Sequence, residues 1–401
     1  MRQKLARYHD WLLFALTLAG ALAGGWAISL AVPLPAAHEF NVIDWELRSL
    51  PNKWLYLTGR FFEGRLSPAE EDERLGRYLA LTARIEQLER TADDNDEAPN
   101  EELGRLRRER DRLENDAEAI IEGRLTAVLE EAGLESSLPL FPAARWVFPP
   151  VDVEFDQPPR VVAISRRDRI ELVEQRPLRP GLPRDEAIAV ERAVERDERR
   201  SALVLSLAGA ATYPSIVGPR GEYELLVDTV AHEWVHHYLA FKPLGLRFYN
   251  SLELRTLNET VANLAGRELA ALVVQRYPLP LAVASQVRPS PAAPDADVDH
   301  ALRQLRLDVE ALLGEGQIED AEALMERRRQ ELADQGVVFR RINQAFFAFR
   351  SVYADDPVSL SPLGGKVEGL RQQAGSVGAF LRAAAGLTSG GDLDRRLAGA
   401  R

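Results

Sequence analysis

Five consecutive residues, His232-Glu233-Trp234-Val235-His236, constrain this chain more than anything else in it. They lie in an apolar-periodic stretch, 222–241, that no proline or glycine interrupts, and a helix is predicted there. On a helix His232 and His236 share one face, so their imidazoles can grip a single Zn²⁺ with Glu233 alongside. The uncharged flanks Thr229-Val230-Ala231 and Tyr238-Leu239 suit a ligand helix buried beneath a cleft. The fold must also bring up a third ligand, because a catalytic zinc takes three protein ligands and keeps one position open.

The third ligand separates the classes. The arrangement HExxHxxGxxH needs glycine at 239 and histidine at 242; this chain has Leu239 and Lys242, which excludes it. A glutamate on the next helix is the other common solution. The stretch Leu257-Asn258-Glu259-Thr260-Val261-Ala262-Asn263 offers Glu259 after a loop over 242–251, on a helix predicted over 252–277. Asn263, one turn further on the same face, can hydrogen-bond a ligand imidazole. Glu253 and Glu268 are the alternatives for the third position. His237 points about 100° away from His236 and reads as a structural histidine, as His9, His38 and His300 read as surface residues. Gly364-Gly365-Lys366 lacks the spacing of a phosphate-cradling loop and reads as a loop.

HEWVH followed by NETVAN resembles the gluzincin class of zinc metallopeptidases, whose pattern is HExxH plus a glutamate with an acidic or amide residue four later. The resemblance implies His232, His236 and Glu259 as zinc ligands. It implies Glu233 as general base in hydrolysis of a peptide or protein substrate by a zinc-activated water. Asn263 departs from the pattern, since aspartate is commoner there. The developing oxyanion needs a further donor, and Tyr353, Tyr213 and Asn343 are the candidates in that order. In this class an extended substrate pairs with an edge strand, expected here at Ala210–Val217. The tail with Ile342-Asn343-Gln344-Ala345-Phe346-Phe347 and Tyr353 also resembles that of a bacterial family of predicted aminopeptidases. The motifs cover only the stretch from His232 to Asn263, and name no substrate.

The amino terminus sets the expected location. Arg2, Lys4 and Arg7 precede an uncharged run from Trp11 to Pro33, with Trp11 and Trp26 as interface anchors. That run is long enough to cross a hydrocarbon core of about 30 Å, and longer than the apolar part of a signal peptide. The positive-inside rule puts residues 1–10 in the cytoplasm and the rest outside, as a single-pass protein of the cell membrane. A signal cleaved at Ala36-Ala37 is the alternative. Arginine far outnumbers the four lysines, which reads as GC-rich coding in a bacterium. A net charge of -12 argues against nucleic acid as a partner, and the absence of cysteine excludes disulfides, thiolate ligands and a thiol nucleophile.

The expected fold class is α+β. It comprises a zincin-like catalytic domain over 160–277, with a small sheet, an edge strand and the active-site helices, and a mostly helical subdomain over 299–401. A juxtamembrane aromatic segment (34–66) is expected to pack on the body through Trp45, Trp54, Tyr56, Phe61 and Phe62. Residues 67–133 read as a helical hairpin, with Leu103, Leu106, Leu113, Ala117 and Ile120 at coiled-coil spacing in its second helix. The hairpin is a solvated charged pair in one reading and a coiled coil binding a protein partner in the other. Proline-rich stretches 134–159 and 278–298 read as connections without elements. Strands are expected over 160–165, 168–174 and 201–208. Helices are expected over 183–200, 299–313, 317–334, 337–353 and 360–385. A non-enzymatic membrane-tethered scaffold with a structural or decayed zinc site is the competing function; the intact Glu233 weighs against it, since a structural site needs no base.

Overall fold

The computed structural model of the chain describes residues 38–41, 45, 66–91, 97–138, 141–280 and 296–399. The apolar run 11–33 lies outside the described residues, as do Trp54, Tyr56, Phe61 and Phe62. Among the described residues no helix is long and apolar enough to cross a membrane. The protein is α+β and mostly helical, with thirteen helices and three small sheets among the described residues.

Helix α1 (Pro68–Thr91) starts where Ser67 and Glu70 cap each other: the Ser67 N–H donates to Glu70 Oε2 at 2.7 Å and the Glu70 N–H to Ser67 Oγ at 3.4 Å. The returning limb is two helices, α2 (Glu97–Asp111) and α3 (Glu114–Glu131), rather than the single one expected. The break comes at a tight turn in which the Leu113 N–H bonds the Arg110 carbonyl at 2.8 Å. Ile85, Leu103 and Leu106 form a small core at the outer end of this hairpin. Arg84–Glu102 and Arg107–Glu89 ion pairs flank it. At its base Leu75, Tyr78, Ala117, Ile120 and Leu125 belong to the main apolar cluster, so the hairpin is rooted in the core of the body.

Residues 134–159, expected to hold no element, carry a two-stranded hairpin, β1 (Glu135–Leu138) with β2 (Phe141–Val147), and a short strand β3 (Val153–Glu154). Both strands of a two-stranded sheet are edges, where Pro142 is tolerated. Strands β4 (Arg160–Arg166) and β5 (Leu172–Leu178) are antiparallel; helix α4 (Arg184–Val194) then leads to β6 (Arg200–Ser206), which flanks β4 on its other side in the order β5-β4-β6. Residues 38–40 lie along the end of β5, and Trp45 reaches Asp156 beyond β3. Glu39 bridges Leu178, the Phe40 N–H reaches the Pro177 carbonyl at 3.5 Å, and Trp45 Nε1 donates to Asp156 at 2.8 Å.

The strand expected at 210–217 is instead two: β7 (Gly209–Ala210) and β8 (Ser215–Val217), antiparallel to each other in the order β3-β8-β7. Pro214 marks a turn rather than an edge: Thr212 Oγ1 donates to the Pro214 carbonyl at 2.7 Å, folding the chain back. Within this run the edge strand is therefore β7, and β8 is interior, parallel to β3, the other edge.

Helices α5 (Tyr223–Ala240), α6 (Pro243–Leu246) and α7 (Leu252–Arg276) follow. In α5 the residues Leu226, Val227, Val230, Ala231, Trp234, Val235 and Leu239 recur at helical spacing and are all buried, which is why this segment is a helix and which face it buries. Ser251 caps α7 by accepting the Leu254 N–H at 3.2 Å. The rest is helical: α8 (Ala296–Gly314), α9 (Ile318–Asp334), α10 (Gln344–Arg350), α11 (Leu363–Gln373), α12 (Val377–Ala385) and α13 (Gly390–Gly399). Three expected helices are shorter than read: the one over 183–200 is α4, which ends at Val194, and Arg200 already belongs to β6. Asn343 caps α10 through the Phe346 N–H at 3.0 Å, so 337–343 is not helical; Ser376 caps α12 and divides 360–385 in two.

Candidate metal centre

Helices α5 and α7 pack on one another along the main apolar cluster. They approach closely at Gly266, where a Cβ would stand 3.0 Å from the His232 nitrogen and 3.1 Å from its Cα. A Cβ there would require the two helices to give by a few tenths of an ångström. This contact brings the histidine face of α5 against the Glu259 face of α7.

His232, His236 and Glu259 form a group that could hold a metal ion, and among the described residues no other such group occurs. The two Nε2 atoms are 3.0 Å apart, and Glu259 Oε2 lies 3.4 Å from His236 Nε2 and 3.7 Å from His232 Nε2. Ligands about 2.0–2.1 Å from a tetrahedral metal stand about 3.3 Å from one another, so the spacing fits one small ion. Two imidazoles and one carboxylate also leave one tetrahedral position open.

Neighbouring amides orient both rings. His236 Nδ1 lies 2.8 Å from Asn258 Oδ1, which can only accept, so Nδ1 carries the proton there. His232 is hydrogen-bonded to the side chain of Asn263. Asn263 Nδ2 in turn donates to Asp355 at 3.1 Å, and Arg267 closes the relay on the other Asp355 oxygen at 2.5 Å. The Asp355 side chain is 2 % exposed. Asn258 and Asp355 carry no role in the sequence reading. Asn258 was legible in principle, beside Glu259 on a ligand helix; Asp355 lies 92 residues from Asn263, and nothing local announces the contact. Asp355→Ala should weaken metal binding by about 10–100-fold, the usual cost of losing such a support, as competition with a chromophoric chelator would measure.

Three lone-pair atoms this close repel unless a positive charge lies among them. Without metal that charge is a proton. Burial opposes the charged form of His236, but the carboxylate of Glu259, by charge and by hydrogen bond, outweighs it and raises the imidazole to about 9. Burial likewise works against the Glu259 carboxylate, and His236 overcomes it, holding Glu259 down at about 2. Burial and the neighbouring His236 charge keep His232 neutral, lowered to about 3. The raised His236 stabilises the metal-free fold fully below its ordinary value of 6.5, and that contribution is lost as pH rises through about 9. Metal must displace the same proton. Affinity should therefore climb between those values, with roughly one proton released per ion bound near neutrality, measurable with an indicator dye in weak buffer.

Glu233 is buried on the helix beside the two histidines, its carboxylate where a Cβ of Gly209 would be, 2.5 Å from that position. Burial, reinforced by the charge of Glu259 and opposed by His236, raises it to about 8. Tyr353 feels the negative charges of Glu259 and Glu233; burial first and those charges next raise its hydroxyl well above the ordinary range, so it remains a donor. The other two oxyanion candidates are engaged elsewhere. Asn343 donates to the Ala202 carbonyl at 2.9 Å while its oxygen caps α10, and the Tyr213 hydroxyl donates to the Pro150 carbonyl at 3.3 Å. Neither alternative third ligand joins the group: Glu253 accepts the Gly390 N–H, and Glu268 forms a two-pronged pair with Arg371 at 2.6 Å. His237 bonds the Thr212 carbonyl at 2.7 Å, and burial lowers it to about 4, a neutral structural histidine. Compared with known proteins, the chain matches no family model, no curated protein and no solved structure.

Proposed function

We propose that this chain is a zinc-dependent hydrolase that cleaves peptide bonds at the group of His232, His236 and Glu259. One observation carries the reading: two imidazole nitrogens and a carboxylate oxygen converge at 3.0–3.7 Å, with a buried glutamate next to them on the same helix. Imidazole with carboxylate suits zinc among the common divalent ions. When bound, the metal supplies a Lewis acid that acidifies water and polarises a carbonyl.

The chain's own residues do the rest. Glu233, raised to about 8 by burial, returns toward neutrality beside positive charge, and there it can both take a proton and pass it to a leaving amine. Tyr353 is the donor we assign to the developing oxyanion, supported by its coupling to both carboxylates and its protonated hydroxyl. Strand β7 is the edge we assign to an extended substrate, supported by Glu233 lying against Gly209. We further propose that residues 11–33 tether the chain to the cell membrane with this site outside it, supported by the charge placement around that run.

The test is metal analysis of the purified full chain, followed by hydrolysis of a peptide library with and without chelator. One zinc per chain and chelator-sensitive cleavage are expected. Absence of bound metal after loading would end the reading.

A further inference from the structure

The loop that joins the two ligand helices, residues 241–252, exposes apolar surface out of keeping with its neighbours. Leu246 is 71 % exposed, Tyr249 61 %, Leu252 44 % and Phe241 41 %, and they account for four of the nine large apolar side chains exposed among the described residues. The same twelve residues contain Lys242 and Arg247 and no acidic residue, in a chain with 62 acids and 50 lysines and arginines. Apolar and aromatic side chains interleaved with isolated cations suit an anionic lipid surface, which takes the rings and aliphatic chains at headgroup depth and the cations at its phosphates.

The way the chain reaches the body puts a bilayer within range. Five residue steps separate Pro33, the last residue of the apolar run, from His38, whose carbonyl accepts the Arg179 N–H at 2.9 Å. Whatever its conformation, that segment spans at most about 18 Å. The docked strand β5 is joined to the loop by direct contacts. Gln175 on β5 accepts from Arg255, whose guanidinium lies 5.4 Å over the ring of Phe248, and that ring lies 4.9 Å from Tyr249. Only two residues, about 7 Å of strand, separate Gln175 from Pro177, where the Phe40 N–H docks.

We propose that the loop 241–252 rests on the surface of the bilayer that holds residues 11–33, seating the metal centre at the water–lipid boundary. The inference rests on reading 11–33 as a membrane span, and it is independent of the reaction catalysed. His236 lies 6.3 Å from the Phe248 ring, so the seated loop borders the centre directly. Substrate would then be drawn from chain segments that lie at or emerge from the membrane surface.

The absence of native cysteine allows a background-free test on the full chain in vesicles. Single cysteines at exposed positions, Leu246→Cys and Leu252→Cys, are labelled with a fluorophore and compared with Val338→Cys, which is 79 % exposed. Val338 lies near Arg340, which donates to the Val204 carbonyl on β6, across the sheet from the docked β5. Labels at 246 and 252 should be quenched at least twofold more than the label at 338 by quenchers carried on lipid, and more in anionic than in neutral vesicles. If they match position 338 in a chain that resists an alkaline wash, the docking is overturned while the span stands. If the wash removes the chain, both are overturned. Equal quenching in neutral and anionic vesicles would remove Lys242 and Arg247 from the contact.

Discussion

Glu233→Gln should retain one metal per chain and lose peptide hydrolysis by about 10²–10⁴-fold, the usual contribution of a positioned acid–base group. The substitution keeps the shape of a side chain that fills the space against Gly209, so packing is preserved. It also removes a group whose ionised form burial opposes: Glu233 is raised from 4.5 to about 8, so its cost to the fold grows as pH rises through that interval. The variant should therefore unfold at an equal or higher temperature than the wild type above neutral pH. That separates lost chemistry from lost structure. Full activity in the variant would remove Glu233 from the reaction whatever its position.

Glu259→Gln should have the other large effect, and on a different quantity. The amide keeps the size of the carboxylate but not its charge, and that charge holds His236 high in the metal-free chain. Metal affinity should fall by more than the ~10–100-fold that loss of a supporting hydrogen bond costs. The same replacement at Glu253 or Glu268 should leave it unchanged, since one accepts a backbone N–H and the other is paired with Arg371. Equilibrium titration of all three variants with one chelator decides among them. Retained affinity in Glu259→Gln alongside a loss in either of the others would move the third ligand.

The elements that carry the metal group were the most legible in the sequence. The stretches read as helices at 222–241 and 252–277 differ from α5 and α7 by a residue at each end or less, because their apolar positions repeat without interruption and Ser251 supplies a cap. Legibility failed where specific side-chain bonds, some local and some long-range, override the apolar pattern. The run 210–217 is apolar enough for one strand, yet the Thr212 hydroxyl bond to Pro214 folds it into two. The run 337–353 has helical composition, but Asn343 spends its side chain on a cap and on the Ala202 carbonyl, and the helix starts only there. The same limit applies at the site. Ligand spacing on one helix is a local property, whereas the Asp355 support arrives from a turn that only the packed C-terminal half positions.

Gly266 gives the metal group a practical use. The histidines sit on one helix and the glutamate on another, and at Gly266 the absence of a side chain lets the two backbones come close. An unfolded chain still has two histidines four residues apart, but it has no third ligand held opposite them. If the proposed metal binding holds, tight, stoichiometric uptake would become an assay of the molecules themselves: in any preparation, the loaded fraction would count those whose central helices have docked.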